Sequence, residues 1–391
     1  MNINHDVDLS TFQDFENVIK LAGQGEALRF TLTDINKKHG AFRDAARLQA
    51  LATVARFSTE KILQLRKAGV VENTLSELCE YAPGLTAIRL NDFVEFNSNL
   101  ISRRKALIPA IEKIVNTDLQ NYSKVIKGRN IDISCISGAE HQFLSPLFST
   151  RSPDGVRESP DMRDSLSTLF YEVSKMHFKK LDDKLLDAFG EFTCELFKNT
   201  QQHACSDSSG IPYSSHVEGI IVSFKDLEAN VFKKDFDSHP RLVEYWNERA
   251  NNTGSGEKLR CVQISFFDTG PGMVSRAFGN TYDNASVEDE KNALLKCLRK
   301  NFTSKTHSGA GNGYPVILTQ LGKIGGLIKI RTNKQSIFNC FSINDQKLWN
   351  NESQNNKLLR DNKMMDFDSW TKEILYPASG TVVSIIVPMG N

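Results

Sequence analysis

The chain has 391 residues, 40% hydrophobic, 9% aromatic and 24% charged. That is ample apolar material for a core and, at roughly 100–200 residues per domain, suits two or three domains. Its 48 Lys and Arg against 47 Asp and Glu leave a formal net charge of +1, which excludes binding to nucleic acid or an anionic membrane through a whole-molecule field. The local basic runs, Ser102-Arg103-Arg104-Lys105 and Lys233-Lys234, read as solvated surface. No window reaches the length of about 18 apolar residues that a membrane span needs, and Met1–Asp6 lacks the basic and apolar regions of a secretory signal. The expectation is a soluble cytoplasmic protein. The seven cysteines are scattered without a C-x-x-C pair, as befits buried thiols rather than a disulfide framework or zinc site.

In chain order, residues 27–35 alternate as a strand does, and 42–65 carries helix-period apolar residues at Leu48, Leu51, Val54, Ala55, Phe57 and Ile62. A strand is predicted at 85–90, a helix at 101–122 and a β-rich run at 131–136. Pro146, Pro153, Gly155 and Pro160 then break any regular element, and a domain boundary is set at about residue 160. Beyond it come helices over 162–176 and 181–204, a strand at 219–224, a helix at 241–250, a Gly/Asn-rich turn and an apolar strand at 260–267. The last segments read as a helix at 287–302, a glycine loop, a helix at 315–324 and strands at 326–332, 336–343 and 380–387. The fold class expected is α/β (α+β): residues 1–160 form a smaller mixed α/β domain of unknown role, with sensing or partner binding as candidate roles. Residues 161–391 form an α/β sandwich.

Four places carry chemistry. On the 181–204 helix, Glu191, Glu195, Asn199 and His203 recur every fourth residue beside the apolar stripe of Leu185, Phe189, Phe192 and Leu196. This puts polar groups at the rim of the core, although a solvated face has the same spacing. Next, the apolar strand Ile264–Phe267 ends at Asp268, followed by Gly270 and Gly272. A carboxylate on the floor of an apolar pocket can accept a hydrogen bond from an exocyclic amine, and leaving it unpaired costs roughly 1–3 kcal/mol. The third is Gly309, Gly311 and Gly313 before a helix, a pattern that lets backbone N–H groups converge on phosphate oxygens. Pro315 suits a first helical turn. The fourth is Gly380-Thr381, opening an apolar strand. Neither the dinucleotide-binding nor the Walker spacing is present.

Together and in this order, these residues resemble the GHKL superfamily of ATPases, the group that includes gyrase B, MutL and the histidine kinases. Glu195–Ala204 is similar to its N box, Asp268–Gly272 to its G1 box, Gly309–Gly313 to its G2 box, and Gly380-Thr381 to its terminal Gly-Thr pair. The resemblance covers about residues 160–391. It implies a Bergerat-type sandwich that binds ATP with Mg²⁺, in which Asp268 accepts the adenine amine, Thr381 assists through water, Asn199 holds the metal and Glu195 is the general base. It further implies a lid over 274–308, closure of Gly309, Gly311 and Gly313 over the phosphates, and an insertion near 206–256. Where a histidine kinase usually carries a basic residue stands Gln202, with His203 as its partial replacement.

The function expected is that of a Mg²⁺-dependent ATP-binding protein and ATPase acting as a nucleotide-controlled switch for a protein partner or within a homodimer. The alternatives are a protein kinase of the histidine-kinase or anti-sigma type, and a scaffold that binds ATP without turnover. His177 lacks the acidic residue and proline of a phosphoacceptor helix. Asp235, Asp237 and His239 before Pro240 read as a turn, and His203 with Cys205 is too sparse for zinc.

Overall fold

Two threonines show how local chemistry starts elements in this chain. Thr11 and Thr31 each accept a hydrogen bond from the backbone N–H three residues on, while the Asp14 and Asp34 carboxylates accept one from the threonine backbone N–H. These reciprocal caps satisfy donors that a helix start leaves open. The computed structural model describes residues 5–66, 69–139, 141–151, 155–203, 206–207, 209–237, 239–252, 258–282, 285–298, 313–342, 364–367 and 374–389.

The described residues form two sheets. The smaller contains β1 (His5–Asp6), β2 (Leu28–Thr31), β3 (Ile62–Arg66), β4 (Phe93–Phe96) and β5 (Asn99–Ser102) in that order, parallel except for the final β4–β5 hairpin. The larger contains β6 (Asn130–Ile136), β7 (Val217–Glu228), β8 (Lys258–Asp268), β9 (Leu327–Asn333), β10 (Gln335–Cys340), β11 (Met365–Asp366) and β12 (Ala378–Pro388). Its order is β11-β10-β9-β12-β8-β7-β6, antiparallel throughout. The mixed α/β class expected from the sequence is the class observed.

Both faces of the larger sheet are covered, which is why its strands read as nearly continuous apolar runs. On one face Ile220, Val222, Ile264, Phe266, Val383 and Ile385 pack with the helices Ser159–Val173, Asp183–His203 and Gly313–Ile324. On the other, Ile221, Phe267, Val382 and Ile386 join the core of the N-terminal segment. There the helix Ala41–Phe57 lies on β8 and β12.

That helix is fully buried at its N-terminus, so its first donors need partners. Gly40 offers no side-chain cap. The sheet replaces it: Ser223 Oγ accepts from Ala41 N–H at 2.8 Å and Gln263 Oε1 from Phe42 N–H at 3.1 Å. Gly40 has φ 107°, and a Cβ there would lie 2.6 Å from Gln263 Oε1, so the close approach requires glycine.

Several expected elements change. The strand expected at 85–90 is the end of a helix, Ala82–Leu90, with Pro83 in its first turn. Its residues are buried nearly all round, which removes the periodicity that separates helix from strand. The 42–65 helix ends at Phe57 and gives way to β3. The 101–122 helix divides into β5, a short turn of helix at Arg103–Ala106 and the helix Ala110–Asp118 after Pro109. β6, read as part of the first domain, is hydrogen-bonded to β7 in the larger sheet, so residues before 160 contribute an edge strand to the second unit. Within 206–256, β7 likewise belongs to the sheet, followed by the helices Ala229–Phe236 and Pro240–Asn252. No helix among the described residues is long and apolar enough to cross a membrane.

Candidate functional site

Strand register builds the site. Glu218 on β7 pairs with Asp268 on β8, Asp268 with Thr381 on β12, and Thr381 with Thr332 on β9. Each lies two residues from a strand residue of the helix-facing core, Ile220, Phe266, Val383 and Ile330 respectively, so the four form one polar row on that face across four strands. All are buried.

Asp268 is fixed from both sides. Gly270 N–H donates to its Oδ1 at 2.9 Å, and Arg276 Nη1 donates to its Oδ2 at 3.3 Å in a pair whose side chains are only 7% and 6% exposed. The turn after it is held closed because Gly380 N–H donates to Gly270 C=O at 2.7 Å. Gly380 has φ 71°, and a Cβ there would lie 1.9 Å from Asp268 C=O. Gly272 precedes the helix Met273–Phe278, whose first N–H donates to Thr332 Oγ1 at 3.0 Å. Thr332 Oγ1 in turn lies 3.2 Å from Thr381 Oγ1. Leu196 and Thr200 of the helix Asp183–His203, together with Asp268, Arg276 and Thr381, line a cavity of about 20 Å³. That is room for one water with several polar partners.

Glu195 and Asn199 are half-buried on the same helix. Tyr314, in the first turn of the helix Gly313–Ile324, stacks edge-on to Phe192 with centroids 5.0 Å apart and donates to Met273 Sδ at 3.6 Å. Burial pushes its hydroxyl well above the ordinary value, with Arg276 opposing and the charges of Glu195, Cys297 and Asp268 adding to the rise. Tyr314 therefore marks where the helix bearing Glu195 meets the strand end bearing Asp268. The site unites Asp268, Gly270, Gly272 and Thr381, with Glu195 and Asn199 on the adjoining helix. Gly313 begins the helix behind Tyr314. Gly309, Gly311 and the His203 side chain lie outside the described residues, as do residues 283–284 and 299–308 of the expected lid.

Sequence reasoning missed five participants, Glu218, Arg276, Arg56, Gln49 and Thr53. Glu218 is buried with its pKa raised by desolvation, against the lowering influence of His216. It accepts a hydrogen bond from Gln201. Its Oε2 and His216 Nε2 stand 3.9 Å apart, and neither has a hydrogen-bond partner among the described residues. Only the carboxylate in Val217-Glu218-Gly219-Ile220 hinted at this, because its pairing with Asp268 is a matter of non-local register. Arg276 lies inside the segment read as a lid. Arg56, at the end of the Ala41–Phe57 helix, reaches from the far face to donate to the carbonyls of Ser215 at 2.7 Å and Thr269 at 3.0 Å. Gln49 on that helix donates to the carbonyls of Arg331, Ser379 and Gly380 at 3.1–3.3 Å, and Thr53 Oγ1 accepts from Ser379 N–H at 3.0 Å. The N-terminal segment thus grips both backbone segments that carry Asp268 and Thr381.

The stretch around Asp235, read as a turn, spans the end of the helix Ala229–Phe236. Asp235 pairs with Arg43 and His239 Nδ1 accepts from Arg241 N–H, so the Asp-x-Asp-x-His stretch is structural, and no metal cluster is found among the described residues. No family model, curated protein or solved structure matches the chain.

Proposed function

We propose that the chain binds ATP with Mg²⁺ and acts as a nucleotide-controlled conformational switch with ATPase activity. The observation that carries this reading is Asp268. It is a buried carboxylate at a strand end, in register with Thr381, beside a water-sized cavity and across from the helix that bears Glu195 and Asn199. A carboxylate so placed can select an amine-bearing base, because an unpaired buried acceptor is costly. Gly380 keeps the two strands close enough that no side chain intrudes between them.

The donor set suits the ligands. Asn199 offers a neutral oxygen of the hard type that Mg²⁺ accepts, and the ion would supply charge neutralisation at the phosphates. Glu195, half-buried at the rim, would hold the proton taken from the attacking water. For the base to reach Asp268, the Arg276 guanidinium must leave the carboxylate. The grip of Gln49, Thr53 and Arg56 on the two strand ends gives such a movement a route to the N-terminal segment.

The test is Mg²⁺-dependent ATP binding by calorimetry. Asp268→Asn and Asn199→Ala should each remove it, and unchanged affinity in both would refute the assignment. With γ-labelled ATP, released phosphate lost in Glu195→Ala supports hydrolysis, whereas label on protein would replace the switch by a kinase.

A further inference from the structure

A second concavity lies away from the Asp268 row. A cavity of about 610 Å³ is formed by the end of the Ala82–Leu90 helix, the Arg103–Ala106 turn, the Ala110–Asp118 helix and the turn after β6. This volume is within the range of small-molecule sites, roughly 300–1,000 Å³. The lining divides by chemistry. Arg89, Arg103 and Arg104 supply three guanidinium groups, while Ile108, Ile111 and Val115 supply apolar wall; no carboxylate is found among the described lining residues, and His141 in the lining pairs with Asp118 at 3.1 Å. Ile108 and Ile111 are each 58% exposed. Single exposed apolar residues are ordinary, but here two on neighbouring turns border one hollow.

The arginines are under-neutralised. Arg103 pairs with Asp92 at 3.1 Å, but neither Arg89 nor Arg104 forms an ion pair among the described residues. Arg89 Nη2 reaches only Ser137 Oγ at 3.3 Å and the Ser214 carbonyl at 3.4 Å, and its Nε is buried with no hydrogen-bond partner among the described residues. Burial and, after it, the neighbouring charge of Arg103 oppose the ionised form of Arg89 while the Asp92 charge favours it; the net effect is a lowering of its pKa that a bound anion would offset. Guanidinium forks match carboxylate and phosphate oxygens, and an alkyl body would cover the isoleucines.

We propose that this cavity binds a free, single-chain anionic amphiphile, with its acidic head on Arg89, Arg103 and Arg104 and its apolar body along Ile108, Ile111 and Val115. The basic run that reads from sequence as solvated surface is then one half of a ligand site. This site is independent of the nucleotide reading, and its test uses no nucleotide.

The experiment is calorimetric titration of the full chain with dodecyl phosphate and with dodecanoate, each below its micelle concentration. Dodecanol, inorganic phosphate and dodecyltrimethylammonium are the controls. The expected result is saturable binding of one anionic amphiphile per chain, about tenfold or more weaker in Arg104→Gln and in Ile111→Glu, with each control at least as much weaker. Both substitutions fall on exposed side chains, and an unchanged melting temperature certifies the fold. Equal affinity in wild type and both variants, unsaturable uptake of many molecules per chain, or equal binding of the cationic amphiphile would overturn the proposal. So would capture by phosphatidylglycerol vesicles without binding of either monomeric probe. If dodecyl phosphate binds and dodecanoate does not, the head is a phosphate; the reverse assigns a carboxylate.

Discussion

The two faces of the larger sheet each bury carboxylates, but they treat them differently. On the far face Asp44 accepts from His39 N–H at 2.9 Å, Gly40 N–H at 3.1 Å and Tyr81 O–H at 2.6 Å. Nearby, Asp235 is matched by Arg43 at 2.6 Å and 2.8 Å. On the helix-facing side Asp268 accepts from Gly270 N–H and Arg276, but Glu218 beside it has one donor and one orphan oxygen. Desolvation raises the pKa of Asp44 and of Glu218 alike. Equal burial with unequal satisfaction separates a network that fastens the N-terminal segment from one that leaves hydrogen-bonding capacity for something else.

The contrast breaks first at Arg43. Removing one member of a buried pair strands the other, so Arg43→Met should cost about 3–5 kcal/mol in urea unfolding. The double variant Arg43→Met, Asp235→Leu should recover much of that, because no buried charge is then left alone. A cost below about 1 kcal/mol for the single variant would mean that the far-face pair fastens nothing.

A pH series sharpens the same point. Burial pushes the Asp235 carboxyl up from 3.8 to about 6, although Arg43 pulls it down. The folded state therefore holds this proton more tightly than the unfolded state does. The resulting stabilisation is complete below about 3.8 and is lost as pH rises through about 6. Relative to Asp235→Asn, the wild type should gain on the order of 2 kcal/mol on acidification across that window, read from urea midpoints at each pH. A parallel pH dependence in the two proteins would remove Asp235 as the titrating group.

How far the sequence shows all this depends on whether the information is local. The helix Asp183–His203 and the strands β8 and β12 are long and strongly patterned, and each is evident from its own residues. Asp268, Gly272 and Thr381 are legible for the same reason, since each belongs to a contiguous motif. What is illegible depends on partners far along the chain. Residues 85–90 give no period because the helix is buried nearly all round, Arg89 excepted. Glu218 meets Asp268 only through antiparallel register across fifty residues of chain. Arg56 and Gln49 are ordinary helix residues until that helix is laid on the sheet.

Smaller effects, of opposite sign, are expected on the helix-facing side. Glu218→Gln removes the charge that burial disfavours while keeping an acceptor for Gln201, so it should leave stability unchanged or raise it by about 1 kcal/mol. Thermal unfolding would show this, and a loss exceeding about 1 kcal/mol would erase the distinction between the two faces.

The smallest change is expected at Arg276, and its direction carries the most meaning. In the structure its guanidinium occupies the carboxylate that an incoming base would need. If that pair must open before ATP binds, the measured affinity is reduced by the fraction of molecules in which it is closed. Arg276→Gln can offer Asp268 only a neutral hydrogen bond, which opens more readily than a charge-assisted one. ATP should then bind roughly fivefold more tightly, a gain of about 1 kcal/mol in calorimetric titration. The gain should disappear when Asp268→Asn is added, because both effects act on one carboxylate. Weaker binding in Arg276→Gln would reverse the assignment: the arginine would then contribute to holding the nucleotide. It would supply the basic group that is missing from the sequence at Gln202.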